Sequence, residues 1–137
     1  MAEQPSVAIV GAGLAGSVLA AQLGRRGIQV QVYERRSDPR AIGAERGRSI
    51  NLAISARGLS ALEQIGLRED AMASSLPMRG RTVHPVQGDT VFQPYSADGR
   101  HAINSVSRAG LNAQLLDAAE RHGVTAVSYT HLTLPTN

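Results

Sequence analysis

Residues 6–34 of this 137-residue chain predict an α/β fold organised around a parallel βαβ unit. A continuous apolar run, Ser6-Val7-Ala8-Ile9-Val10, leads directly into Gly11-Ala12-Gly13-Leu14-Ala15-Gly16. Leu14, Val18 and Ala21 then recur at helical spacing as far as Arg26. Ile28, Val30 and Val32 alternate with Gln29 and Gln31, the period of a strand, and Glu34 stands at its end.

Each element follows in turn. An unbroken apolar run over residues 6–10 suits a parallel strand buried on both faces. Gly27 stops the first helix, because glycine tolerates the left-handed conformation that ends helices. Residues 34–48 are polar, with Pro39 and two glycines, and predict a loop. Ile50, Leu52 and Ile54 alternate and predict an extended stretch. Ser55 is placed to cap a helix carrying Leu59, Leu62 and Ile65, closed by Gly66. A short helix is expected over 68–74, broken by Pro77. Residues 79–86 and 90–95 read as strands joined around Gln87-Gly88-Asp89, a hairpin signal. A strand over 102–106 precedes Ser107, an N-cap for a helix with Leu111, Leu115 and Ala118 on one face. Val124-Thr125-Ala126 begins a last strand. There is no internal repeat.

Composition narrows the function classes. The formal net charge is +3 and every one of the 14 basic residues is arginine. Five of them fall within 34–48, a solvated loop that also attracts phosphates and carboxylates. One Phe, three Tyr and no Trp give no stacking platform for single-stranded nucleic acid, so no nucleic-acid partner is expected. The absence of cysteine excludes disulfides, thiolate catalysis and Cys-bound zinc. No apolar run approaches the ~20 residues of a membrane helix. Met1–Pro5 carries an acid, leads straight into a strand and is no signal peptide, so a cytoplasmic location is expected. His84 reads as a structural imidazole on a strand. No metal site and no general acid or base is predicted.

The glycines have distinct jobs in a dinucleotide fingerprint. Gly11 permits the tight turn, Gly13 removes a side chain where a pyrophosphate approaches, and Gly16 lets helix and strand pack closely. The helix N-terminus then presents its dipole and free N–H groups to the anion. Glu34 follows Gly11 by 23 residues, where an acid accepts hydrogen bonds from ribose hydroxyls and disfavours a 2′-phosphate. FAD and NAD both fit this pattern.

Further blocks are more particular: Val32-Tyr33-Glu34-Arg35-Arg36, Arg46-Gly47-Arg48-Ser49-Ile50-Asn51-Leu52-Ala53, Arg57-Gly58, Pro77-Met78-Arg79-Gly80-Arg81, Pro94-Tyr95, Ser105-Val106-Ser107-Arg108 and Leu111-Asn112. Through these, nearly all of residues 6–126 resembles the aromatic-ring flavoprotein monooxygenases, and within them the members that hydroxylate L-kynurenine. The resemblance implies a Rossmann-like FAD-binding βαβ fold of the flavoprotein aromatic hydroxylase type, here truncated. It implies FAD as cofactor, NADPH as reductant, and L-kynurenine and O₂ as substrates. FAD would contact Gly11, Gly13, Ala15 and Gly16 at the pyrophosphate, and Glu34 and Arg35 at the adenosine end. Ala53 would line the flavin side, and Arg108 would reach the cofactor from the second half of the chain. Arg81 and Tyr95 would hold the substrate's carboxylate, an arginine fork giving two charge-assisted hydrogen bonds and a tyrosine one neutral bond. Residues 1–126 would form a partial FAD-binding domain containing the start of the substrate sheet, about 78–106.

The last eleven residues, 127–137, resemble instead the translation of a sequencing-library adapter fused in frame, and are expected to be a non-native tail. A truncated parallel sheet keeps an open apolar edge, so residues 1–137 alone are expected neither to hold FAD tightly nor to turn over. The rival readings are a related flavin hydroxylase of a phenolic acid, an inactive nucleotide-binding fragment, and an NAD-dependent dehydrogenase. The last needs a catalytic His, Lys or Tyr constellation after the βαβ unit, and none is evident.

Overall fold

A computed structural model describes residues 6–41, 50–98 and 101–131. Arg46–Ser49 of the block quoted above, the 34–48 loop beyond Ala41, and residues 132–137 of the tail lie outside the described residues.

β1 (Ser6–Val10) feeds α1 (Leu14–Arg25), and β2 (Gln29–Tyr33) returns parallel to β1, with Ser6 opposite Gln29 and Val10 opposite Tyr33. Gly27 turns the chain at φ +75°, as its position after the helix requires. β8 (Thr125–Val127) lies parallel on the other side of β2, giving the order β1-β2-β8. The middle strand is therefore β2, whose Val30 and Val32 are fully buried. α1 and α4 (Arg108–Arg121) pack against each other and cover one face of this sheet. Gly24 permits part of that fit: a Cβ there would crowd Val124 Cγ2 at 2.8 Å and the His122 carbonyl at 3.1 Å.

Burial of β1 on both faces is not observed. Ile9 is buried toward the helices, while Ala8 and Val10 on the opposite face are exposed, Val10 by 71%. The apolar run is real, but among the described residues no layer covers that face. The outer edge of β1 has no strand partner there either.

A second, antiparallel sheet has the order β3-β7-β4, from Asn51–Ile54, Ile103–Ser107 and Leu76–Met78. β4 was not expected so close to a helix breaker. Pro77 is accommodated because β4 is an edge strand, where a missing N–H costs no ladder bond. α2 (Ala56–Gln64) and α3 (Arg68–Ala73) follow β3. Both predicted caps form: Ser55 Oγ accepts the Gly58 N–H at 3.2 Å, and Ser107 Oγ accepts that of Gly110 at 3.3 Å. One apolar core runs from Ile9, Val30 and Val32 through Leu62 and Leu67 to Leu111 and Leu115.

β5 (Gly80–Val83) and β6 (Val91–Pro94) form a separate hairpin. Its strands are shorter than the alternation suggests, and His84 to Thr90 make the connection. Gly80 is glycine for a local reason: a Cβ would collide with the Phe92 ring and the Gln93 carbonyl.

The segment after β2 is held by charge. The Arg40 guanidinium binds Asp38 from its own segment and reaches Asp117 at 2.7 Å and Glu120 at 2.6 Å on α4. Hydrogen bonding from Arg40 holds the Asp38 carboxyl below the ordinary aspartate range, burial opposing it, and the three acids raise the pKa of Arg40 far above normal. All partners retain solvent contact, so screening discounts the network. Arg40→Met is expected to lower unfolding free energy by about 0.5–1 kcal/mol. Thermal melts should show the deficit shrinking toward zero in about 1 M salt, where charges a few ångströms apart are screened.

Candidate dinucleotide site

The Gly-rich turn sits where β1 becomes α1, beside the end of β2. Gly11 adopts φ +102° and donates its N–H to Tyr33 O at 2.8 Å. A side chain there would be strained although nothing crowds it. Gly13 is the N-cap with an ordinary extended backbone, and nothing lies within 4 Å of where its Cβ would be. Its lack of a side chain therefore leaves open space rather than relieving a clash inside the protein. Gly16 differs again: a Cβ would run into the Gly11 carbonyl oxygen and press on Ile9, so the turn and helix can meet only with glycine at this position.

α1 has no capping side chain and no acid in its first turn. Its leading N–H groups have no intrahelical partner and suit an anion.

Glu34 is buried, and its carboxylate is already engaged. Oε2 accepts the Ala12 N–H at 2.9 Å, and Oε1 accepts the Arg36 N–H at 2.9 Å and Arg36 Nε at 3.2 Å. Burial works against the charge, but the two backbone N–H groups and the Arg36 guanidinium outweigh it and hold the carboxyl below the usual glutamate range. Oε2 takes a single bond from the protein, leaving it capacity for a ribose hydroxyl. Glu34 thus shapes the turn.

Other predicted residues gather here to differing degrees. Ala15 and Ala53 line one apolar cavity of about 510 Å³ between α1, β3, α2 and α4, together with Leu14, Leu52 and Leu111. Arg108 opens α4, and its N–H bonds Ile50 O at 3.1 Å, continuing the β3–β7 ladder. Arg35 is exposed just beyond β2. Arg81 and Tyr95 lie away from this cluster on the hairpin. Arg81 is opposite Gln93, whose Oε1 accepts from Arg81 Nε at 2.9 Å, and the Tyr95 N–H bonds Arg79 O. Pairing two residues apart in an antiparallel register puts Arg81 and Tyr95 on one face of the hairpin.

The site also contains a residue to which sequence reasoning assigned no role. Asn112 on α4 donates Nδ2–H to Ala12 O at 2.9 Å, bridging 100 positions of chain. Its signals in the sequence were the Leu111-Asn112 block of the resemblance and its place four residues after Arg108, on the same helix face.

A glycine turn of this shape, a naked helix N-terminus and a buried carboxylate beside both define a dinucleotide-binding α/β domain. The chain belongs to the FAD binding domain family, which it matches over residues 4–134. FAD is accordingly the dinucleotide, a choice the glycine motif alone left open. Kynurenine 3-monooxygenase from Myxococcus xanthus (strain DK1622) is 50% identical over 128 residues, 93% of this chain and 28% of the relative. That from Xanthomonas axonopodis pv. citri (strain 306) is 51% identical over 129 residues, 94% of this chain and 28% of the relative. The chain thus spans little more than a quarter of the length of these relatives. Among solved structures, 2-methyl-3-hydroxypyridine-5-carboxylic acid oxygenase aligns with a TM-score of 0.70 at 22% identity, covering 93% of this chain and 32% of that one. The Diels-Alderase PyrE3 of pyrroindomycin biosynthesis aligns at 0.62 with 25% identity, covering 94% and 26%. These likenesses establish the fold, that of the flavin aromatic hydroxylases.

The depressed Glu34 pKa makes stability depend on pH in a definite direction. A carboxyl whose folded pKa lies below its unfolded value of about 4.3 stabilises the fold above that value. The contribution disappears as pH falls through the folded pKa. Denaturant unfolding of wild type and Glu34→Gln across pH is expected to show wild type more stable near neutrality, with the two curves converging below about pH 4.

Proposed function

We propose that this chain is part of an FAD-dependent, NADPH-using monooxygenase that hydroxylates L-kynurenine to 3-hydroxykynurenine. The observation that carries the reading is the 50–51% identity, over more than nine-tenths of the chain, to relatives named kynurenine 3-monooxygenase. The site geometry supports it. Gly11, Gly13, Ala15 and Gly16 receive the pyrophosphate on amides no side chain blocks, and Arg108 adds charge from α4. Glu34 and Arg35 serve the adenosine end, while Ala53 borders the flavin side. Bound FAD, reduced by NADPH, supplies the O₂ activation that ring hydroxylation requires. The chain's own part is binding and orientation, so no catalytic acid or base is assigned. Arg81 and Tyr95, on one hairpin face, bind the substrate carboxylate, the guanidinium replacing the hydration that the carboxylate loses.

The same reading places the protein in tryptophan catabolism toward pyridine nucleotides, in the cytoplasm. No helix among the described residues is long and apolar enough to cross a membrane. It assigns residues 1–126 to a partial FAD-binding domain that includes the start of the substrate sheet at about 78–106, and residues 127–137 to an adapter-derived tail. Val127 O accepts the Glu34 N–H, and the Tyr129 and Thr130 N–H groups bond Arg36 O and Glu34 O. Backbone pairing of this kind is indifferent to side-chain identity. Tyr129 has a φ of +59°, unfavourable for so bulky a residue, which suits an unselected sequence. Sequencing the source locus through codon 126 tests the boundary: a reading frame that diverges from the tail supports it, and genomic codons for 127–137 followed by a stop overturn it.

For the complete protein, NADPH oxidation should be coupled to 3-hydroxykynurenine formation. Coupled turnover of a phenolic acid in place of kynurenine would replace the substrate assignment. Arg81→Ala should raise the kynurenine KM with a loss of about 1.5–3 kcal/mol in binding, the range for a hydrogen bond to a charged group. Residues 1–137 alone should elute without flavin; a soluble yellow protein with stoichiometric FAD would contradict this.

A further inference from the structure

We propose that Asn112 is a positioning residue for FAD: from α4 it fixes the Ala12 carbonyl and so sets the Gly-rich turn in its anion-receiving shape before the cofactor arrives. The inference rests on the FAD-binding role of that turn.

Ala12, between the first two motif glycines, is held at both of its backbone polar groups by side chains from distant parts of the chain. Its N–H goes to Glu34 Oε2 and its C=O to Asn112 Nδ2, each at 2.9 Å. Its neighbours Gly11 and Gly13 bring no side chain to pack, so these two bonds, with those of Gly11 N–H to Tyr33 O and Ser17 N–H to Gly13 O, orient the turn. The Asn112 amide makes its bond at a cost. Its Oδ1 is buried without a hydrogen-bond partner among the described residues, and a leucine would only exchange that oxygen for the Ala12 carbonyl left unpaired in its place. Stability alone therefore gives asparagine no advantage here. What asparagine adds is one donor aimed at one carbonyl of the turn. With that peptide fixed, the N–H groups at the start of α1 stay pointed at a common centre, and binding avoids the ordering cost a loose glycine loop would incur.

The test uses the complete flavoprotein, stripped of FAD and titrated with it while flavin fluorescence is followed. Asn112→Leu should bind FAD about tenfold more weakly, as expected for one lost hydrogen bond transmitted through the turn, while its FAD-free melting temperature stays close to that of wild type, one unpaired buried oxygen replacing another. A purely structural asparagine would behave oppositely, with lowered melting temperature and affinity that recovers once the folded fraction is counted. Asn112→Asp supplies a second readout: its side chain has nearly the same shape but, ionised near pH 7.5, donates nothing to the Ala12 carbonyl, so its FAD affinity should fall at least as far as that of Asn112→Leu. Unchanged FAD affinity in Asn112→Leu or in Asn112→Asp overturns the proposal. Failure of the wild-type protein to take up FAD at all overturns the reading beneath it instead.

Discussion

The bond between the Glu34 carboxylate and the Ala12 N–H is the contact around which the nucleotide half is arranged. It joins the end of β2 to the turn that leaves β1, two points the parallel pairing already brings side by side. Burying a carboxylate is unfavourable unless donors replace its water, and here two backbone amides and a guanidinium do so. Once those donors are committed, the residues that supply them have little freedom. The Ala12 peptide must face β2, Arg36 must fold back, and the segment beyond it is directed toward α4, where Arg40 is caught by Asp117 and Glu120. One acid at a strand end thus couples the turn geometry to the course of the following loop.

Much of this was legible in the sequence because it is local. The strand–glycine–helix–strand order over 6–34, the serine caps at Ser55 and Ser107, and the hairpin near Gly88 all came from short-range rules of periodicity, capping and turn chemistry. Where the reading failed, the information was not local. An apolar run such as Val7–Val10 signals burial but not how many layers the chain provides to bury it. Pro77 breaks helices reliably, yet whether it also sits in a strand depends on which strand lies at the sheet edge.

The site divides along the same line. Gly11, Gly13, Gly16 and Glu34 could be assigned from spacing, since each has a stereochemical reason tied to near neighbours. Asn112 and Arg40 act on partners 100 and 77 residues away, and their immediate sequence does not say which acceptor, a carbonyl for one and carboxylates for the other, each will meet on another element. Arg81 and Tyr95 fall between these cases: resemblance named them, and the hairpin register then placed them on a common face.

The span of the Asn112–Ala12 bond has a consequence for the order of events during synthesis. The whole glycine fingerprint is translated by residue 16, but the helix that fixes it follows nearly a hundred residues later, and the third strand of the parallel sheet later still. Closing a loop of this length costs entropy that only the assembled core repays. A nascent chain halted near residue 100 would carry every glycine of the motif and Glu34, but would lack the donor that fixes the Ala12 carbonyl. The turn therefore reaches its final restraint only after some hundred further residues have followed it off the ribosome.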